Sequence, residues 1–172
     1  MYPILLAALA SAAPSYHLSY SSSLFDGVPS SLIPPAGTKL MAKYFGSGTQ
    51  NYVCSGGAWT LDSADAILAP NSESLKNPEV SHYFVNGKPT WRYLNDESVV
   101  TGAAVNKATV GKDDIVWILL ARNNALSSDS GKFSNVVNIM RVYTKGGLPT
   151  GNCTTNQSVR VAYNADYWFF TN

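Results

Sequence analysis

Charge is scarce in this chain. Lys, Arg, Asp and Glu make up 13% of its 172 residues, about half of the roughly 25% usual in soluble domains. The formal net charge of +1 leaves no basic footprint for nucleic acid or for an anionic membrane surface, so neither is expected as a partner. Histidine and cysteine are nearly absent: His17, His82, Cys54 and Cys153 are the full set. Neither cysteine has a second Cys or a His at short ligand spacing, which excludes the common zinc arrangements. Calcium demands six or more oxygens, and the dense carboxylates are Asp113-Asp114 and Asp62-x-x-Asp65, with no EF-type loop. No metal and no cofactor are expected. The apolar run near the N-terminus, Ile4 to Ala10, is too short to cross a bilayer.

What is present points outside the cell. Hydrophobic residues reach 45%, enough to bury a core in one domain of this length. With so little charge, solubility rests on Ser, Thr, Asn, Gly and Tyr, a profile more usual in extracellular proteins. In that setting the favoured reading of Cys54 and Cys153 is one disulfide; the alternative is two separate buried thiols. Closing so long a loop removes on the order of 4–5 kcal/mol of unfolded-state freedom. The run Ile4–Ala10 leads into the small-x-small triplet Ala10-Ser11-Ala12, the layout of a signal peptide and its cleavage site. Residues 1–13 are therefore expected to be a signal peptide or, if retained, an apolar arm. The expected localisation is extracellular, at a surface or in a matrix.

Residues 14–38 are rich in Ser, Tyr and Pro and keep no period, so an irregular extended arm is expected. Tyr16, Tyr20, Leu24 and Phe25 are more apolar than a spacer needs, which implies that the arm lies on the domain or on a neighbouring copy. Residues 39–172 read as a single β domain of short runs split by turn residues. The expected strands are Lys39–Phe45, Gln50–Cys54, Ala58–Leu61, Ala66–Leu68, His82–Val85, Thr90–Tyr93, Val99–Val110, Ile115–Ala121, Val136–Tyr143 and Val159–Phe170. Gly46-Ser47-Gly48-Thr49 reads as a hairpin loop. Asp62–Pro70 and Asn71–Asn77 each have room for a short helical turn. The fold class is all-β, a two-layer antiparallel sandwich, with a barrel or jelly roll as the alternative. Ile115–Leu120 is apolar on both strand faces, so it belongs in a strand covered on both sides, with Trp117 central. Alternation sends Tyr167 and Phe169 one way and Trp168 and Phe170 the other; one pair enters the core, and the other covers an edge or binds something.

Chemistry-bearing residues are few. His82 next to Tyr83-Phe84 reads as a hydrogen-bonded strand histidine, since a general base or ligand needs a partner. No G-x-S-x-G elbow supports a serine triad, and Asp96-Glu97 is weak support for a paired-carboxylate glycosidase. No catalytic residue is assigned. Aromatics reach 12%, and a sugar's apolar face stacks on such rings; Trp91, Tyr93, Trp168 and His82 are the candidates for a glycan site. Asn152-Cys153-Thr154 and Asn156-Gln157-Ser158 are N-glycosylation sequons. Asn156 is the better acceptor, because a bridged Cys153 competes with modification of Asn152.

Several blocks carry a family resemblance. They are Phe45-Gly46-Ser47-Gly48-Thr49-Gln50-Asn51-Tyr52-Val53-Cys54, His82 with Pro89-Thr90-Trp91, Ile115–Leu120, Gly131-Lys132-Phe133-Ser134, Ile139-Met140-Arg141-Val142, Thr144-Lys145-Gly146-Gly147-Leu148-Pro149 with Cys153, and Tyr163-Asn164-Ala165-Asp166-Tyr167. In this order, over residues 38–172, they resemble an uncharacterised secreted family of fungi and bacteria whose fungal members often carry the label "malate dehydrogenase". The resemblance implies secretion and a β-rich domain, and it brings no established catalytic residues. Dehydrogenase chemistry itself is rejected: hydride transfer from a nicotinamide needs a βαβ unit with a glycine-rich turn opening a helix, whereas Gly46-x-Gly48 lacks the third glycine and opens a strand. The expected function is that of a non-catalytic extracellular structural or surface protein of a wall, spore coat or matrix, self-associating through its N-terminal arm. A glycan-binding module that holds cell-wall polysaccharide and an unrecognised hydrolase are the alternatives.

Overall fold

The computed structural model describes residues 24–172; the expectations for residues 1–13, for Tyr16, His17 and Tyr20, and for an assembly arm lie outside the described residues. Eight strands follow one another: β1 (Lys39–Ser55), β2 (Ala58–Ala69), β3 (Val80–Val85), β4 (Lys88–Tyr93), β5 (Val99–Ala108), β6 (Trp117–Arg122), β7 (Val136–Gly146) and β8 (Ser158–Thr171). Each pairs antiparallel with the next, and β8 pairs back onto β1, so the sheet closes into a barrel. The all-β antiparallel reading holds, and the architecture is the barrel rather than the sandwich. Closure removes the exposed edges that an open sheet would present.

The reason for closure lies in β1. Gly46-Ser47-Gly48-Thr49 is not a hairpin loop; the strand runs straight through it, paired on both sides. The glycines are there for room. A Cβ on Gly46 would lie 2.6 Å from the Tyr167 ring, and one on Gly48 would strike the Asp65 carbonyl and Ala66 of β2. A glycine inside a strand often marks such a close approach. The expected break inside β2 is also absent: Asp62–Pro70 holds no helical turn, and Ala58–Ala69 is one strand. The second helical expectation survives as a 3-10 turn at Ser72–Ser74. The β1–β2 and β3–β4 hairpins turn at Gly56-Gly57 and Asn86-Gly87, all four residues at positive φ, the conformation that tight hairpins require.

Two apolar clusters hold the fold. The inner one fills part of the barrel with Tyr44, Leu68, Trp91, Phe133, Tyr167 and Phe169. The outer one lies on the far face of β6–β8, where Trp117, Leu119, Met140, Val142, Trp168 and Phe170 are covered by Phe25, Val28 and Leu32 from the segment before β1. That segment is clipped down by Asn106 Nδ2 donating to the Ser31 carbonyl at 2.8 Å and by Tyr143 Oη donating to the Asp26 carbonyl at 3.1 Å. Leu24 and Phe25 therefore lie on their own domain. The two-sided apolar strand is now explained: Ile118 and Leu120 face the interior, while Trp117 and Leu119 lie under the strap. Trp117 is buried, but on the outer face rather than at the centre. The same division settles the C-terminal aromatics, with Tyr167 and Phe169 inside and Trp168 and Phe170 outside.

Candidate functional site at the barrel mouth

In an up-and-down barrel all odd-to-even connections lie at one end. Here that end carries the β1–β2, β3–β4, β5–β6 and β7–β8 connections. The other end is plugged by aromatic packing, with Phe133 stacked on Phe169 at 4.8 Å and Lys132 Nζ seated 4.1 Å over the Tyr93 ring. Among the described residues nothing plugs the first end. A cavity of about 480 Å³ enters there between β2 and β7, walled by Leu61, Phe84, Pro89, Val116 and Ile118, with His82, Trp91 and Arg141 deeper in and Lys88 and Lys107 among its lining. Eight strands enclose about enough space for side chains or one small ligand. Small residues keep this half empty. Gly102 admits the Trp91 ring, which would lie 3.3 Å from a Cβ placed there, and Ala103 and Ala104 add little bulk beside it.

His82 is fully buried and stacks on Trp91 with ring centres 4.5 Å apart and planes 9° apart. Its Nδ1 meets the Thr90 carbonyl at 2.9 Å; a carbonyl only accepts, so Nδ1 carries the proton and Nε2 keeps its lone pair. Burial lowers the histidine pKa to about 3, against the raising effect of the Thr90 bond, and the Arg141 charge lowers it further. The ring is neutral at ordinary pH. Arg141 donates from Nη2 to the Val116 carbonyl at 2.9 Å, which fixes the guanidinium at the wall. Its buried Nε and the buried Nε1 of Trp91 have no hydrogen-bond partner among the described residues. Behind them Tyr163 and Tyr167 share a 2.6 Å hydroxyl contact, and burial pushes the Tyr167 phenol well above its usual value.

The four residues named for a glycan site do not assemble. His82 and Trp91 form the internal stack, Tyr93 lies at the plugged end, and Trp168 is on the outer face against Phe25, with Lys43 Nζ 3.8 Å above its ring. Trp91 and Trp168 are 1% and 2% exposed, so neither offers a free face to a sugar: their rings close hydrophobic clusters instead. The strand-histidine reading of His82 fits what is seen. Lys112 and Asp113 form the turn, and Asp114 follows it in an isolated antiparallel bridge to Gly147, its carboxylate accepting from the Gly146 amide at 2.6 Å, a bond that lowers its pKa. Among the described residues lining the cavity there is no Ser, Thr, Cys, Asp or Glu.

Cys54 and Cys153 are joined in a disulfide, which ties the end of β1 to the β7–β8 loop at the mouth end, and the Cys54 amide donates to the Gln157 carbonyl at 2.8 Å. Such a bond indicates a non-cytosolic compartment. Asn152 and Asn156 are both exposed in this loop. Arg141, Lys88 and Lys107 were missed as site residues. The signal for Arg141 was available: it interrupts the apolar run Ile139–Val142 on the face of Ile139, which points into the barrel.

The family described as "Protein of unknown function (DUF3455)" matches residues 35–171. No curated protein and no solved structure matches the chain.

Proposed function

We propose that this chain, which belongs to the DUF3455 family, is a secreted, non-catalytic binding protein that holds a small molecule in the mouth of its barrel. One observation carries the reading: a cavity of about 480 Å³ lined mainly by apolar side chains, with a few inward polar groups and a floor that is already formed. That is the general anatomy of a small-molecule site. The non-catalytic part is supported by a histidine held neutral, with no Ser, Thr, Cys, Asp or Glu among the described residues that line the cavity. The extracellular part is supported by the disulfide and by the exposed sequons, with Asn156 as the glycan acceptor.

The test is uptake of a neutral fluorescent probe, N-phenyl-1-naphthylamine, by the purified protein. Saturable uptake is expected, and Ala104→Trp, which adds bulk at the exposed mouth without touching the packed floor, should remove it while leaving the circular dichroism spectrum unchanged. Failure of the unaltered protein to take up the probe would refute the reading.

A further inference from the structure

Charge is distributed unevenly within the cavity. Of the described residues that line it, Arg141, Lys88 and Lys107 are cationic and none is a carboxylate. Arg141 takes part in none of the ion pairs found among the described residues, and neither lysine does. A guanidinium drawn part-way into a low-dielectric barrel without a counter-charge is unfavourable unless an anion joins it. The Nε of Arg141 and Nε1 of Trp91 are both donors with no acceptor among the described residues, and buried donors left without acceptors are costly.

The strand register brings the cations together. Lys107 lies opposite Ile118 on β6, and Ile118 lies opposite Arg141 on β7. The three residues form one row across the barrel wall, so the two cations stand about 10 Å apart at the backbone, within reach of a common anion above Ile118. Leu61 and Phe84 belong to β2 and β3, on another part of the wall, and supply apolar surface.

We infer that the ligand is an amphipathic carboxylate, its acid group on Arg141 with Lys107 assisting, and its apolar body against Leu61 and Phe84. This rests on the cavity being a binding site, as proposed above, and adds the class of ligand. Arg suits the role because its fork of donors matches a carboxylate.

The experiment displaces N-phenyl-1-naphthylamine from the full chain with three carboxylates, octanoate, decanoate and 3-phenylpropanoate, each paired with the alcohol of the same skeleton. At least one acid should bind ten-fold or more tightly than its alcohol. Its affinity should fall at least ten-fold in Arg141→Gln, and about three-fold in Lys107→Gln, an exposed position where folding is not at risk. The alcohol's affinity should move less than two-fold in both. Alcohols that bind as well as their acids, or acids indifferent to both substitutions, would overturn the carboxylate assignment while leaving the cavity reading intact. A probe that never enters would instead bring down the cavity reading itself.

Discussion

His82 lies flat on Trp91 inside the barrel, its Nδ1 bonded to the carbonyl of Thr90 on the same strand as that tryptophan. The two residues sit directly opposite each other on β3 and β4, so the stack is a cross-strand pair of the kind that fixes register. It also forms the floor of the cavity. One contact thus joins the folding of the β3–β4 hairpin to the shape of the site.

That burial makes stability sensitive to acid. The folded-state pKa of His82 is lowered from 6.5 to about 3, so below pH 6.5 the unfolded chain takes up a proton that the barrel refuses. Stability is therefore full above pH 6.5 and declines as pH falls from 6.5 toward 3, by a total on the order of 5 kcal/mol. Urea denaturation at pH 7.0, 5.5 and 4.5 should show this slope. His82→Phe retains a ring against Trp91 and should be less stable at pH 7.0 by about 1–3 kcal/mol, because the Thr90 carbonyl loses its donor. The variant should have a visibly flatter pH profile. An identical slope in the variant would mean that another group is responsible.

The disulfide should be a large part of the stability margin. It closes a sequence separation of 99 residues, and loop-closure entropy for that length is worth roughly 4–5 kcal/mol. Replacing both Cys54 and Cys153 by Ser should lower the unfolding free energy by about 3–5 kcal/mol in urea titrations. A loss under about 1 kcal/mol would show that the hydrogen bonds of the β7–β8 loop, and not the covalent link, hold the mouth end.

Much of the strand content was legible because alternation and turn chemistry agree over most of the chain. Asn86-Gly87 and Gly56-Gly57 specify their hairpins by residue type alone. What misled was glycine in β1, where Gly46 and Gly48 look like turn residues until the Tyr167 ring and the β2 backbone are seen beside them. Trp91 and Trp168 misled for a related reason. A tryptophan's sequence context cannot separate a ring that receives a sugar from one that receives Gly102 or Phe25. The cavity was not legible at all, since its row of Lys107, Ile118 and Arg141 exists only once three strands are in register.

The strap before β1 should matter as much as a core strand. Leu32 is fully buried against the outer face of β6–β8, so Leu32→Ala should cost about 2–5 kcal/mol. Its neighbour Ile33 is 37% exposed, and Ile33→Ala should stay near 0.5 kcal/mol. Thermal denaturation of the two variants separates them. Equal small effects would mean that the strap contributes little to holding the barrel closed.

The two strand glycines give a graded prediction about closure. At Gly46 an added methyl meets the Tyr167 ring at 2.6 and 2.9 Å and Leu68 Cγ at 3.3 Å. Those are side-chain atoms with some freedom to shift, so Gly46→Ala should cost about 1–3 kcal/mol, the usual range for overpacking. At Gly48 the methyl meets the Asp65 carbonyl and the Cα of Ala66, both backbone atoms of the paired strand. Neither can yield without opening the β1–β2 ladder at the residue pair Gly48–Ala66. Gly48→Ala should therefore destabilise more than Gly46→Ala. Amide hydrogen exchange should rise along both β1 and β2 in the Gly48 variant, and around Tyr167 alone in the Gly46 variant. If the order were reversed, the close approach of β1 to β2 at Gly48 would not be what draws the long first strand into the closed barrel.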